Sequence, residues 1–306
     1  MSHRTYRRAR AMLPWLVATL LAPHGAAAHS MEHSGEAAPV TSREGDGYVF
    51  QAGWDSVAHD FYGVGQLSLH GNWSREFYGV VQLAIWNTSR QFMGLAQLGV
   101  QNDAASFIGV IQLGVHNRCR GRFFAGGGQV GFYNEAGRDY YAVAQIGAVN
   151  LAESFIGVAQ IGGWNEMRAS RDFFGGAQVG VVNIVERRFA SLLGQYGVVN
   201  IVRRQLYAPL QVGALNLAEG FGGLAQVGLV NWTEDTTALV QLGLFNYDGD
   251  HLRFSQLGVV NMAREITGVQ IGLLNYARRL RGLQLGLVNM TRYGGLPFCP
   301  IANAGW

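Results

Sequence analysis

The feature that most constrains the fold of this chain is a short unit that recurs fifteen times between residues 66 and 289. Each copy is built around Gln-φ-Gly-φ-φ-Asn, where φ is mostly Val, Leu or Ile. Successive glutamines are 14 to 18 residues apart, with a mean of about 15.6. A repeat of this kind sets the architecture, because each unit is one structural step that needs its neighbours to bury its apolar side.

The glutamine and asparagine of each unit are predicted to be structural residues of the repeat. Identical amide side chains that lie above one another can hydrogen-bond into ladders, in which each amide satisfies the donors and acceptors of its neighbours. The glycine permits a tight bend beside the asparagine. The predicted structural residues are Gln97, Asn102, Gln112, Asn117, Gln145, Asn150, Gln160, Asn165, Gln226, Asn231, Gln241, Asn246, Gln270, Asn275, Gln284 and Asn289.

The apolar part of each unit is predicted to be a β-strand and the polar remainder a turn. The unit from Phe155 to Asn165 reads Phe-Ile-Gly-Val-Ala-Gln-Ile-Gly-Gly-Trp-Asn and is rich in strand-forming residues. The four to seven residues after each asparagine are polar and carry nearly all the charges of the repeat region. The sequence therefore predicts an all-β protein.

Two architectures fit such an array. One is a parallel β-solenoid with one coil per unit, and the other is an antiparallel outer-membrane β-barrel with one strand per unit. Strands of 11 residues, short polar turns and the terminal Trp306 are typical of the barrel. The solenoid is favoured because every unit has the same polarity, whereas the strands of an antiparallel meander alternate in direction.

The composition of the strands also favours the solenoid. A barrel of this size needs a polar lumen, and neither face of the repeated unit is polar enough to line water. The solenoid, for its part, leaves much apolar surface facing outward. That surface has to meet a membrane, a partner or another copy of the chain.

The two ends of the chain are expected to differ from the repeat. Residues 1–28 combine basic residues, an apolar stretch and the small-residue site Ala26-Ala27-Ala28, which is the pattern of a secretory signal peptide. Residues 29–47 are polar and non-periodic and are expected to be disordered. Residues 48–306 then form a single β-repeat domain, in which 294–306 is an atypical closing segment.

The charge of the chain argues against a nucleic-acid partner. The sequence contains 23 arginines, no lysine and 20 acidic residues. Because four of the arginines and none of the acids lie in the predicted signal peptide, the mature chain has a formal charge of 19 − 20 = −1. A nearly neutral chain presents no basic surface of the kind that binds nucleic acid.

The two cysteines distinguish the two architectures. Cys119 lies in a turn and Cys299 in the closing segment, and an exported protein can oxidise such a pair. In a solenoid they would be separated by eleven or twelve stacked units, or roughly 55 Å. A disulfide between them would therefore exclude the solenoid.

No constellation of catalytic residues stands out, so the sequence predicts no enzyme, no cofactor and no metal site. His70 and His116 occupy variable strand positions and are interpreted as structural. The arginine pairs 187–188, 203–204 and 278–279 are able to contact lipid phosphates or acidic glycans. The neighbouring Glu186 and Glu265 favour ordinary solvated turns instead.

The last two repeat units carry a resemblance to a known family. Gly268 to Asn275 and Gly282 to Asn289 resemble the tandem Gly-Leu-Gln-Leu-Gly-Leu-x-Asn arrays of bacterial surface-repeat proteins, which are known from spirochaetes and other Gram-negative groups. The closing residues 296–303 are similar to the ending of that family, and the resemblance covers about 61–306. It implies a cell-envelope location and supplies no catalytic residues.

Together, these features predict an exported scaffold of the cell envelope without catalysis, at the outer membrane or cell surface or in the periplasm. Its expected partners are a membrane or envelope surface, or a protein or glycan bound through the turns. The alternative function is an outer-membrane β-barrel pore or channel.

Cleavage of the signal peptide after Ala28 is a testable consequence. Protein recovered from the envelope of a Gram-negative host is expected to begin at His29, because the small residues before that position fit the signal peptidase site. Intact mass measurement checks this, and Ala28→Leu is expected to retain residues 1–28. Recovery of the wild-type chain only with Met1 still in place would contradict the export signal.

Overall fold

The chain folds as a parallel β-solenoid. A computed structural model describes residues 40–41, 47–168 and 172–306. The predicted signal peptide and most of the 29–47 segment lie outside the described residues, so both stay predictions. The described part is all-β and winds through about 14 turns, which confirms the predicted solenoid.

The antiparallel barrel is wrong, and the alternative function of a pore or channel therefore loses the architecture on which it depended. The physical reason is the uniform polarity of the repeat. Successive units pair in parallel with like residues opposite one another, so the strands stack by translation rather than alternate in direction.

The described residues form 21 strands and no helix. The strands are β1 (Val40–Thr41), β2 (Gly47–Tyr78), β3 (Val81–Leu83), β4 (Trp86–Met93), β5 (Ala96–Leu98), β6 (Gln101–Leu113), β7 (His116–Val130), β8 (Tyr133–Ala136), β9 (Tyr140–Ala152), β10 (Phe155–Met167), β11 (Phe173–Val185), β12 (Phe189–Tyr196), β13 (Val199–Tyr207), β14 (Leu210–Val212), β15 (Leu215–Gly222), β16 (Ala225–Val227), β17 (Val230–Thr236), β18 (Val240–Leu252), β19 (Ser255–Ile271), β20 (Leu274–Tyr293) and β21 (Phe298–Gly305). Several of the longer strands pass through a corner of the coil.

The coils stay in register despite their unequal lengths. Gln160 on β10 pairs with Gln145 on β9 and with Gln178 on β11. The spacing between Gln160 and Gln178 is the longest in the array, at 18 residues, and the pairing is still maintained on both sides. The turns that follow the asparagines absorb the extra residues.

Each coil has three sides. In a representative coil the strand pairing is interrupted at Gly79-Val80, at Ala84-Ile85 and at Arg90. These corners separate a glutamine side centred on Gln82, an asparagine side that begins at Trp86, and a phenylalanine side that ends at Met93. The variable turn lies between the asparagine and phenylalanine sides. It therefore forms the edge opposite the glutamine side.

Glycine occupies the corner that follows most glutamines, and Ser68 and Ala84 take its place in two coils. A Cβ atom on Gly162 would lie 2.2 Å from the carbonyl oxygen of Gly147 and 2.5 Å from Nδ2 of Asn150. In the last coils the corner before the glutamine is one residue shorter, and Gly282 closes it at a φ of 146°. An L-residue rarely adopts that conformation.

The core consists of four columns of inward side chains. They are the phenylalanine position, the glutamine, the asparagine, and a small or aliphatic residue two places after the asparagine. The rings of Phe61, Phe77, Phe92 and Phe107 stack nearly parallel, with centroids 4.8–5.0 Å apart. Later coils replace the ring with an aliphatic side chain such as Leu206 or Leu280, which is also buried. The two amide columns are thus flanked inside the coil by the column of rings and by the column of small or aliphatic side chains.

The C-terminal end departs from the repeat. Strand β21 lies antiparallel to β20, whereas the pairings between earlier coils are parallel. Cys299 lies on β21 and Cys119 on β7, and both are free thiols. Burial raises the pKa of Cys119 to about 12, so its sulfur stays protonated.

Removing one amide from the middle of the glutamine column is expected to destabilise the array. Gln160→Met preserves the length of the side chain, but Nε2 of Gln178 and Oε1 of Gln145 then lose the hydrogen bonds that they make with Gln160 while they stay buried. The expected loss in free energy of unfolding is about 2–4 kcal/mol, since each unsatisfied buried group costs about 1–3 kcal/mol. Urea denaturation measures it.

Gln91→Met is the matched control, because the Gln91 side chain is exposed. This variant is expected to unfold at the wild-type urea concentration, within about 0.5 kcal/mol. Equal effects of the two substitutions would show that the buried amide column contributes nothing specific to stability.

Candidate functional surface

The glutamines form a continuous buried ladder. Nε2 of Gln160 donates to Oε1 of Gln145 at 2.8 Å, and Nε2 of Gln178 donates to Oε1 of Gln160 at 2.7 Å. The same contact repeats in every coil, with the later glutamine donating to the earlier one. The ladder begins at Gln51, which the sequence analysis missed. Its spacing of 15 residues from Gln66 was the signal that could have revealed it.

The asparagines form a second ladder that runs in the opposite direction. Nδ2 of Asn150 donates to Oδ1 of Asn165 in the next coil at 2.8 Å. Its other proton goes to the carbonyl oxygen of Ile161, also at 2.8 Å. That carbonyl lies at the corner after the glutamine, so the asparagine also satisfies a backbone group at the bend.

The structure therefore places the predicted repeat residues entirely inside the solenoid. All sixteen predicted glutamines and asparagines have zero exposed area. Their donors and acceptors are directed at one another and at the backbone. They hold the coils together and do not form a binding motif, so a functional surface has to be sought among the outward side chains.

The outward surface of the glutamine side is apolar along the array. We define the apolar face as the residues two before, one after and three after each glutamine. Exposed members include Val80, Leu95, Val110, Val143 and Val158 two before a glutamine; Leu83, Leu113, Ile146, Ile161 and Ile271 one after; and Val100, Val115, Val181, Leu229, Leu244 and Leu273 three after. A face of this extent marks an interaction surface, because soluble monomers rarely expose large contiguous apolar patches.

The apolar face carries no charge over most of its length. In the coils from Phe77 to Asn246, the segment that runs from the phenylalanine position to the asparagine contains no Asp, Glu, Lys or Arg. The charges lie instead after the asparagine, around the turn edge on the far side of the coil. The solenoid is thus amphipathic, with one apolar side and one charged edge.

The apolar face becomes concave near its C-terminal end. A shallow groove of about 570 Å³ lies there, and its lining includes Leu257, Val259, Ile271, Leu273 and Leu285. Ile301 on the closing strand borders it, with a φ of 70° and most of its side chain exposed. The groove belongs to the apolar face and shares its chemistry.

The turn edge, formed by the polar turns after the asparagines, carries ion pairs between neighbouring coils. Arg203 lies 3.1 Å from Glu186, and Arg279 lies 2.6 Å from Glu265. Because of Glu186 and Glu265, the sequence analysis had interpreted the arginine pairs as parts of solvated turns rather than as sites for lipid phosphates or glycans. Such exposed pairs contribute little to stability, but they leave the edge a mixture of both signs rather than a basic surface.

The two strand histidines are separate from each other and have structural surroundings. Nδ1 of His70 lies 2.6 Å from Oδ1 of Asp55, and the ring packs against Trp86. His116 is half-buried against Tyr133, and burial is the main cause that lowers its pKa, so its ring is neutral near pH 7.

The part of the chain that the structure describes contains neither a cluster of metal-binding side chains nor a candidate membrane-spanning helix. There, no three or more His, Cys, Asp and Glu side chains are grouped to hold a metal ion. The described ranges likewise contain no helix of the length and hydropathy needed to cross a bilayer. His29 and His33, near the start of the predicted mature chain, lie outside those ranges.

Comparison with protein-family models, with curated proteins and with solved structures found no match to this chain.

A buried carboxyl group lies in the core column near the C-terminal end. Oδ2 of Asp248 accepts a hydrogen bond from Oγ1 of Thr233 at 3.3 Å, and Oδ1 accepts one from the backbone N–H of Asp250 at 3.1 Å. The neighbouring coils hold Thr233 and Ala263 at the same place in the stack. Burial raises the pKa of Asp248 from 3.8 to about 7 despite these hydrogen bonds.

This carboxyl group predicts a pH dependence of stability. Because the folded chain holds the proton more tightly than the unfolded chain, the stabilising contribution is complete below about pH 3.8 and is lost as the pH rises to about 7. Asp248→Thr is expected to remove this loss and to stabilise the protein at pH 8 by a few kcal/mol, at roughly 1.4 kcal/mol per pH unit. The variant should gain little near pH 4.

Urea denaturation of both proteins at the two pH values measures the effect. Asp250→Thr is the control, because the Asp250 side chain is exposed. A gain from Asp248→Thr that is the same at both pH values would contradict the proposed titration.

Proposed function

We propose that this chain is an exported scaffold of the cell envelope that acts without catalysis, and that the apolar face is its interaction surface. The observation that carries the proposal is the separation of apolar and charged surface along the solenoid. The glutamine side exposes aliphatic side chains in coil after coil, while the charges lie on the opposite edge. A free protein gains nothing from such a face, but an assembled one buries it.

The interior supports a scaffold role because the side chains that fill it contact one another and hold the coils together. The amide ladders and the phenylalanine column fill it with structural contacts. Stacked identical coils make a regular surface that can contact a partner along its whole length, as other repeat proteins do.

The proposed location rests on the sequence. The predicted signal peptide directs export, and the resemblance to bacterial surface-repeat proteins favours the outer membrane, the cell surface or the periplasm. Fractionation of a Gram-negative host that expresses the full chain is expected to recover it from the envelope. Recovery in the cytoplasm alone would contradict the proposal.

The role of the apolar face can be tested separately from location. Val158 is 59% exposed in the middle of the face, so Val158→Arg introduces a charge there without a buried neighbour to displace. Retention of this variant in high-speed envelope pellets is expected to fall severalfold, because a charge in a dry interface is costly.

Arg204→Glu changes a charge on the turn edge and serves as the control. It is expected to behave as the wild type, since the turn edge already mixes both signs. If Val158→Arg is retained as well as Arg204→Glu, the apolar face is not the interaction surface.

A further inference from the structure

The identity of the partner follows from the shape and charge of the apolar face. With coils about 4.8 Å apart and six residues between its two corners, the face is roughly 65 Å long and 16 Å wide. That is about 1,000 Å² of projected surface, well above the largest apolar patch of a typical monomer. Something of similar length and flatness has to cover it.

A lipid surface fits this face poorly. Proteins that lie on a bilayer place Lys and Arg beside the apolar surface, where they contact anionic headgroups. Here the arginines lie on the turn edge, across the coil from the apolar face, and pairs such as Arg203 with Glu186 neutralise part of their charge. A second sheet of the same pitch is a better match, because apolar sheet faces pack about 10 Å apart with interlocking side chains.

We propose that a second copy of this chain covers the apolar face, with the two solenoids antiparallel and related by a two-fold axis that crosses the face at the coil of Ala148. The proposal rests on the proposed function in that it takes the apolar face as the interaction surface. It adds the identity of the partner and the register of the contact.

The register comes from one protrusion and one notch in the same column of the face. Three residues after the glutamine, most coils carry Val, Ile or Leu, but one carries Phe132, which is 66% exposed. The next two coils carry Ala148 and Gly163 at that position. The large, exposed side chain of Phe132 therefore precedes two coils with small residues at this position, and one further alanine, Ala214, lies farther along the column.

The backbone constrains position 163 less than position 162. The φ of Gly163 is not positive, and an added Cβ would lie 3.0 Å from the carbonyl oxygen of Ala148, a tight contact that a shift of a few tenths of an ångström relieves. By contrast, a Cβ on the neighbouring Gly162 would collide with two atoms of the preceding coil. The missing side chain of the exposed Gly163 leaves a notch in the outer surface.

A two-fold axis through Ala148 brings protrusion and notch together twice. The axis lies in the face, along the strands, so each column meets the same column of the other copy. Phe132 then lies opposite Gly163 of the second copy, and Gly163 opposite Phe132 of the second copy, as an isologous interface requires. Ala148 meets its own equivalent on the axis.

The overlap is large enough for a stable dimer. Thirteen coils, from the one at Gln51 to the one at Gln241, are shared in this register, which covers roughly 1,000 Å² of each copy. Specific interfaces of ordinary size bury about that much per partner. The coils from Gln256 onward project beyond the overlap at each end.

Analytical ultracentrifugation of the full chain across a concentration series tests the dimer. The wild type is expected to sediment at twice its monomer mass of 33.3 kDa, or twice the correspondingly lower mass after signal cleavage. Gly163→Phe places two aromatic rings opposite one another and is expected to raise the dimer Kd at least tenfold. The double variant Phe132→Gly with Gly163→Phe exchanges protrusion and notch and is expected to restore dimerisation.

Leu273→Phe is the matched control, because it enlarges the same column at a coil beyond the overlap. It should leave the dimer Kd unchanged, and the urea midpoint of each variant verifies that the monomers are folded. A monomeric wild type, or a double variant that dissociates like Gly163→Phe, would overturn the proposal.

Binding to vesicles of phosphatidylcholine, with and without phosphatidylglycerol, tests whether lipid covers the apolar face instead. Binding of a monomeric wild type to them would make lipid the occupant and refute the dimer. The envelope scaffold would then survive as long as Val158→Arg still lost its retention. Loss of the dimer and failure of the scaffold proposal are therefore distinguishable.

Discussion

The buried amide ladder is the interaction on which the rest of this structure depends. An amide removed from water needs partners for both its donors and its acceptors, and inside this narrow core each glutamine finds them on the glutamines of the coils before and after it. That requirement fixes like residues over like residues at a constant height. The ring stack beside the ladder and the glycine at the corner follow from the same spacing. Variation in length is left to the turns, where no ladder passes.

Much of this could be predicted from the sequence because a repeat with uniform polarity implies translation. Each unit runs in the same order, from the phenylalanine position through glutamine to asparagine, and only stacked coils give equivalent surroundings to equivalent residues. The spacing also identified the asparagines and glutamines as ladder residues. It did not reveal the opposite directions of the two ladders, since the sense of donation depends on side-chain torsions that sequence periodicity does not encode. The second role of Asn150, as a partner of the corner carbonyl of Ile161, likewise needs three-dimensional geometry.

The sequence predicted that apolar side chains would face outward, but it did not predict which of them lie together on one side of the coil. Alternation within a strand indicates that apolar side chains must face outward, but it does not say which residues share a side of the coil. The corners decide that, and they depend on glycines such as Gly162 whose surroundings come from the preceding coil. Asp248 is a similar case, because its burial follows from its place in the stack rather than from the polar residues around it in the sequence.

The two ends of the ladders are unequal. At the C-terminal end, Nδ2 of Asn289 donates to the carbonyl of Cys299, and Nδ2 of Asn303 donates to Oε1 of Gln284. At the N-terminal end, Oδ1 of Asn72 is buried without a partner. Each coil makes its ladder contacts with residues only 14 to 18 positions away, so assembly can proceed by addition of one coil to a finished neighbour, in the manner of a crystal that grows from one face. The antiparallel closing strand occupies the edge of the last coil and supplies partners to Asn289 and Gln284, so the final ladder groups are satisfied without a further parallel coil.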